Sequence, residues 1–570
     1  MWARFGLQCL VALLTVRLVA QQASPGSLDS LLKDGSSLSK QADYAHAIPV
    51  LLHAKKLAPE NYSANLLLGL DFLRSGHPAD ALEPLRVAAQ VRPNDEMADG
   101  YLGEAEKAQG DFALAAEAFE DAAGRAPNSE RALLGWADYS LERFRVLGLW
   151  LRSSQRGTAA LLRVQAEGTA NGTTQRESLL QKAAEADPEQ SGVWGELGIA
   201  QATLGMHAEA EASLKTAQER QPNASPTWKL EAQMAAAQGS WSEAEGRLLA
   251  LGGRSAVELR NALAQWPQGL VPNQNVPGTI WQCIREHAMS CPVKTEAPES
   301  AGVLTPETLF AEERWEQLAA TPPPATGQGS LWFWRGVALG EIGDCAQSIP
   351  SLERGLEQGK EAAGYWLIVC YGSVVGHAAA QLAAQGKEAA VHQIRGDILL
   401  SMKGDAPAAA AEYTQALQLR PKDPDLLEKR AQAYLTQGDM EQARQNAQAA
   451  LAVDPHRELA LQLLVRIAMS ERDYPQALAA LGKLARMEPD DNWTRVQLGT
   501  ADAQTGHPQD AVRYLQPVLM AGYPDEKGAL HALLAGQLRK LGREQEAKVA
   551  ADEAIRLANA FEEHGAGNTQ

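Results

Sequence analysis

The 570-residue sequence is short of aromatic residues, of cysteine and of positive charge. Aromatics make up 6%, there are five cysteines, and 52 lysines and arginines face 70 acidic residues, for a formal net charge of −18. That deficit of cations argues against nucleic acid or an anionic membrane as the main partner, because both are bound through clustered lysine and arginine. No CxxCH haem attachment, GxSxG elbow, HExxH zinc pair or GxxxxGK phosphate loop occurs in the chain. The common signatures of haem, serine-nucleophile, zinc and phosphate chemistry are therefore missing. Past the N-terminus, no stretch reads as a run of the roughly 20 apolar residues that a membrane crossing needs. What is there, 45% hydrophobic and 21% charged residues, is ordinary for a soluble protein. At about 150 residues per domain, three or four domains would follow, unless the chain repeats and grows without enlarging one core.

The first residues, MWARFGLQCLVALLTVRLVAQQ, carry Arg4, an apolar run over Phe5–Val16 and a plausible cut after Ala20. About twelve apolar residues are too few to span a bilayer, so residues 1–20 read as a signal peptide and the chain as exported, periplasmic or secreted. Arg17 is atypical so near a cut, which keeps an uncleaved N-terminal anchor as the alternative. Cleavage would leave 50 basic against 70 acidic residues, a net charge of −20, with no membrane span in the mature chain. It would also remove Cys9 and leave Cys283, Cys291, Cys345 and Cys370. An even number in an exported chain favours two disulfides.

Three residue types keep one period. Prolines stand at Pro59, Pro93 and Pro127, at Pro188 and Pro222, and at Pro421, Pro455 and Pro489, stepping by 34 within each run. Alanines keep the same phase twelve residues earlier, among them Ala47, Ala81, Ala115, Ala210, Ala409, Ala443 and Ala477. Glycines five before those positions mark a turn at Gly76, Gly110, Gly205, Gly239, Gly404, Gly438 and Gly506. Within one period, Trp194, Leu197 and Gly198 fall at helical spacing, Gly205 breaks the helix, and His207–Arg220 forms a second with Ala210, Leu214 and Ala217 on one face. Pro222 cannot continue a helix interior and closes the unit. Two helices this short cannot bury both faces alone, so each pair stacks on the next, and small residues leave room where helices cross.

These positions resemble the tetratricopeptide repeat family. Residues 191–222 match its pattern at Trp194, Leu197, Gly198, Ala210, Leu214, Ala217 and Pro222, and residues 62–93 at Leu68, Gly69, Phe72, Ala81, Leu85, Ala88 and Pro93. Residues 424–455 match at Leu427, Ala431, Tyr434, Ala443, Ala450 and Pro455, and residues 492–523 at Leu498, Gly499, Ala511 and Leu515. The resemblance implies an all-α superhelical solenoid of antiparallel helix pairs, about eleven or twelve units over four-fifths of the chain. It implies a binding surface and says little of what is bound.

Three stretches leave the period. One unit holds extra residues, so that about 140–175 reads as a lengthened helix followed by the loop GTANGTT. Residues 252–328 are Pro- and Gly-rich and out of phase; they read as an irregular connecting segment between an N-terminal array, 28–251, and a C-terminal array, 329–560. The third, YWLIVCYGSVVGHAAAQLAAQG, reads as an apolar helix or helix pair of a divergent repeat. Cys283, His287 and Cys291 are spaced four and four, which could be argued as a metal site. No second ligand cluster follows, and in an unbroken helix the two cysteine Cα atoms would be about 12 Å apart, too far for a bridge. A Cys283–Cys291 disulfide therefore needs the helix to end near Met289. Cys345 with Cys370 is then the remaining pair.

The resemblance places a partner on the first helix of each unit. In the C-terminal units those positions give Glu428, Gln432, Gln462 and Arg466, with Trp493 as an aromatic anchor. The expectation is a non-catalytic scaffold of the bacterial cell envelope, with no cofactor and no metal, binding a neutral or basic protein or peptide segment. The alternatives are an enzyme or metal/cofactor protein with its site in 252–328, and a structural component of an envelope assembly.

Overall fold

The computed structural model describes residues 27–93, 95–190, 192–273, 276–286, 304–323 and 328–567; the expected signal segment, His287 and Cys291 lie outside the described residues. Among the described residues there are 30 α-helices and no strand. Successive helices pack as pairs, for example Tyr62–Arg74 with Pro78–Val91, Val193–Thr203 with His207–Arg220, and Pro424–Gln437 with Met440–Val453. The sequence explains each start and stop. Asp423 accepts hydrogen bonds from the Asp425 and Leu426 amides, Pro424 fills the first turn, and Gly438 ends the helix at φ 89°.

The interior of a unit is set by a glycine and a leucine 16 residues apart. A Cβ on Gly69 would overlap Leu85, and one on Gly336 or Gly499 would overlap Leu352 or Leu515. Leucine thus occupies the space that glycine vacates, and Ala81, Ala210 and Ala443 are fully buried beside such crossings. The unit at 191–222 differs: the space at Gly198 is taken by Leu230 of the following helix instead of Leu214. Here the close backbone approach is at Gly195, whose Cβ would lie 2.6 Å from both the Pro226 carbonyl carbon and the Thr227 nitrogen.

The repeat phase also explains two strained residues. Ala42 and Arg472, at φ 54° and 62°, are 34 residues from Gly76 and from Gly438 respectively, and stand where those units have a left-handed glycine. An L-residue there costs roughly 1–2 kcal/mol. Arg472→Gly should therefore raise stability by up to about 1 kcal/mol, after glycine's greater unfolded-state entropy is subtracted. A lowered urea midpoint would show that Arg472 makes a compensating contact.

The described chain forms two compact units. Of the described residues, the first unites those up to Gly110, Arg125–Glu130 and those from Leu382 on, and the second Asp111–Gly124 with those between Arg131 and Gln381. Within the first, Arg420 pairs with Glu130 and the Gln385 amide donates to the Pro127 carbonyl at 3.1 Å. Within the second lies an aromatic core of Phe119, Trp136, Tyr139 and Tyr371.

Three local expectations are revised. The extra residues near 140–175 do not make one lengthened helix: Glu130–Leu151 stops, Ser154 caps a new helix Gln155–Glu167, and that helix packs on Thr174–Ala186. The stretch 252–328 is not simply irregular, because it includes the helices Ala256–Ala264, Thr279–Glu286, Pro306–Ala311 and Trp315–Ala319. Trp281 there is fully buried against Trp241 and Trp266. Finally, Ala363–Ala384 is one helix of 22 residues, long and apolar enough by length and composition to cross a membrane. The expectation of no such stretch is therefore corrected. In this fold 44% of its apolar window is buried, with Leu367, Ile368, Cys370 and Tyr371 in the core of the protein.

Candidate functional site

The residues expected to bind a partner lie on the first helices of three successive pairs, Pro424–Gln437, Glu458–Glu471 and Asn492–Thr505. Glu428 does not face outward. It is 3% exposed, accepts from Arg457 Nε at 3.0 Å and from the Ala460 amide at 3.2 Å, and so ties one pair to the next. Gln432 and Gln462 are half-buried and bond along their own helices, to Thr436 at 3.4 Å and to Glu458 at 2.6 Å. Arg466 is exposed, and Trp493 packs half-buried against the Leu461, Leu484 and Leu498 cluster. A partner reaching this face would therefore meet Arg466 and the outer parts of the two glutamines, with Glu428 already engaged.

Cys345 and Cys370 are joined as a disulfide with Cα atoms 4.8 Å apart. Cys283 is buried and disulfide-bonded; Cys291 lies outside the described residues. No three histidine, cysteine, aspartate or glutamate side chains among the described residues come together as a metal site.

The richest chemistry lies elsewhere, in a cleft of about 820 Å³ within the second compact unit. Eight carboxylates and three cations line it, together with Trp150, Phe310, Trp315, Phe333, Tyr365 and Trp366. Arg163, on the helix Gln155–Glu167, bonds Glu196 Oε2 through Nε at 2.9 Å and stands 4.9 Å over the Tyr365 ring. The Tyr365 hydroxyl donates to Glu167 Oε1 at 2.5 Å. Burial, and then the nearby Glu196 charge, pushes the Glu167 carboxyl above its ordinary range.

On the other wall three carboxyls approach one another from separate segments: Glu258, Glu313 and Glu341. Glu313 accepts from the Ser225 amide at 2.7 Å and from its hydroxyl at 2.5 Å, and Lys229 pairs with Glu258. Burial raises Glu313 even against the Ser225 bonds. Glu341 is raised well above the usual carboxylate range, first by burial and then by the charges of Glu258 and Glu313. The 34-residue pattern contains no signal for this cleft. Glu258 and Glu313 fall in the very stretch that lacks the repeat phase, and the polar residues there show no spacing that marks them.

Comparison with known proteins agrees with the helix-pair architecture. Family models described as "Tetratricopeptide repeat" match residues 66–130 and 424–457, and one described as "TPR repeat" matches 396–438. "Cellulose synthase operon protein C" of Escherichia coli (strain K12) is 28% identical over 236 residues, which are 39% of this chain and 18% of that protein. A "Putative cellulose synthase operon protein C" of Escherichia coli O157:H7 is 28% identical over 204 residues, 35% of this chain and 15% of its own. The chain thus spans under a fifth of the length of these relatives. Among solved structures, "MamA 41-end from Desulfovibrio magneticus RS-1" is 17% identical with a TM-score of 0.28, over 30% of this chain and 96% of its own. The structure titled "Crystal structure of APC/C hetero-tetramer Cut9-Hcn1" is 13% identical with a TM-score of 0.27, over 95% of this chain and 89% of its own.

Proposed function

The chain is a tetratricopeptide-repeat protein, and from that premise we propose that it is a non-catalytic scaffold that holds a segment of a partner protein in the cleft of its second compact unit. One observation carries this reading. The cleft is lined from at least five separate helices and turns, so a chain segment laid in it would touch many units at once. Repeat arrays bind through such composite surfaces, which no single unit possesses. The acidic lining favours a neutral or basic segment. The stretch shared with a protein named for a cellulose synthase operon supports an accessory place beside a polysaccharide-making assembly. The leader-like N-terminus supports export to the cell envelope.

Position 362 offers the test, because Ala362 lines the cleft and is exposed, so a change there spares the core. A photo-crosslinking phenylalanine at position 362 of the full-length chain should trap one discrete protein from cell-envelope extract. The same group at Leu249, exposed on the second helix of another pair, should not. Ala362→Trp, which sets a large side chain at the cleft, should cut capture of that protein at least tenfold. Equal trapping at both positions, or none, would remove the cleft from the binding surface.

A further inference from the structure

We propose that the wall formed by Glu258, Glu313 and Glu341 is a subsite for a single organic cation, the ammonium or guanidinium of a lysine or arginine on the bound segment. The inference rests on the scaffold reading and adds the chemistry of one contact.

The argument begins with charge. A buried carboxylate is expensive unless a cation or several donors compensate it. On the opposite wall Arg163 bonds Glu196 and the Tyr365 hydroxyl donates to Glu167. On this wall three carboxyls have Lys229, already paired with Glu258, and the charge of Arg254 acting on Glu313. Burial and the charges of Glu258 and Glu313 push the Glu341 carboxyl well above the usual carboxylate range, so added positive charge is favoured beside it. A cation that enters would meet carboxylate oxygens from three separate segments.

The shape of the wall decides which cation. No grouping of side chains among the described residues has the geometry of a metal site, which disfavours a small divalent ion needing short, converging bonds. Phe310, Trp315 and Phe333 stand in the same cleft, with Phe310 5.8 Å from each of the other two rings. Aromatic faces accept the methylene stem of lysine or arginine and attract its charged head. Trp315 is 5% exposed and its indole N–H has no acceptor among the described residues. A donor left without a partner on a ligand-sized cleft is consistent with an acceptor arriving with the ligand, such as a peptide carbonyl.

The experiment uses the full-length chain on an array of nonamers of glycine, serine and asparagine, each with a central lysine, arginine, norleucine, citrulline or glutamate. Lysine and arginine peptides should bind at least tenfold more strongly than norleucine and citrulline peptides. In Glu313→Gln with Glu341→Gln the preference should fall to within twofold. That double change alters only 2 of 70 acidic residues, so general attraction to an acidic protein would survive it. On the unaltered chain, acetyl-arginine amide should displace bound peptide where acetyl-citrulline amide and magnesium do not, which keeps the inference testable if the variant folds poorly. Equal binding of lysine and norleucine peptides, or displacement by magnesium, overturns the cation subsite. If position 362 still traps its partner, the scaffold reading then stands; if it traps nothing and no peptide binds, both fall.

Discussion

Methionine in place of Arg143 should destabilise the second compact unit by about 3–5 kcal/mol, the usual cost of stranding one partner of a buried ion pair. The Arg143 side chain is 6% exposed and that of Glu353 1%. Two guanidinium nitrogens hold the carboxylate, Nε at 3.0 Å from Oε1 and a terminal nitrogen at 2.7 Å from Oε2. The Tyr371 hydroxyl donates to the same Oε1 at 2.7 Å, and the guanidinium lies 3.6 Å over the Phe112 ring. Burial, and then the Glu353 charge, holds the Tyr371 phenol well above its usual range, so it stays a donor across physiological pH. Without Arg143, Glu353 would be left in an apolar core with one neutral hydroxyl. Arg143→Met with Glu353→Leu removes both charges and should recover most of the loss. Urea unfolding followed by circular dichroism measures both, and a single-variant loss below about 1 kcal/mol would show that water reaches the pair.

Trp281→Ala should be nearly as severe, at about 3–5 kcal/mol, because a large buried ring leaves a cavity that its surroundings cannot fill. Trp281 is fully buried, with the Trp241 and Trp266 rings edge-on at 5.8 and 5.7 Å. Ile280, Ile284, Leu248 and Leu251 complete the cluster. Its indole N–H finds no acceptor among the described residues, so Trp281→Phe, which keeps much of the ring volume, should cost far less than alanine. Hydrogen exchange should show lost protection in Trp241–Arg254 and Ala256–Ala264, with the first compact unit unchanged. Unaltered exchange there would mean that the stretch after residue 252 is not packed on the helices before it.

The repeat itself was legible because it depends on local rules. Proline ends a helix, glycine reverses the chain at positive φ, and alanine fits a close crossing, so three residue types in phase place helices and turns. Gly438 and Gly506 take the left-handed conformation their spacing implies. Even Ala42 and Arg472, which break the glycine pattern, obey its geometry. Charged positions were less legible. Helical spacing puts Glu428 on the first helix of its unit, but only Arg457, 29 residues on, determines that the carboxylate turns inward. Trp194, at a repeat position, and Trp228 are each half-buried and donate the indole N–H to a proline carbonyl six residues earlier.

By itself the sequence determined the all-α repeat, the positions of its turns and the small residues at its crossings, since each follows from backbone preference and packing within about one period. Tertiary structure alone decided which residues far apart in the chain become neighbours. Arg143 meets Glu353 across 210 positions, and the cleft gathers Arg163, Glu258, Glu313 and Glu341 from helices and a turn that share no motif. The physical reason is that a stacked array buries one face of every unit in the same way. Charge at a distance is settled only when packing brings particular helices together, and no periodicity encodes that meeting.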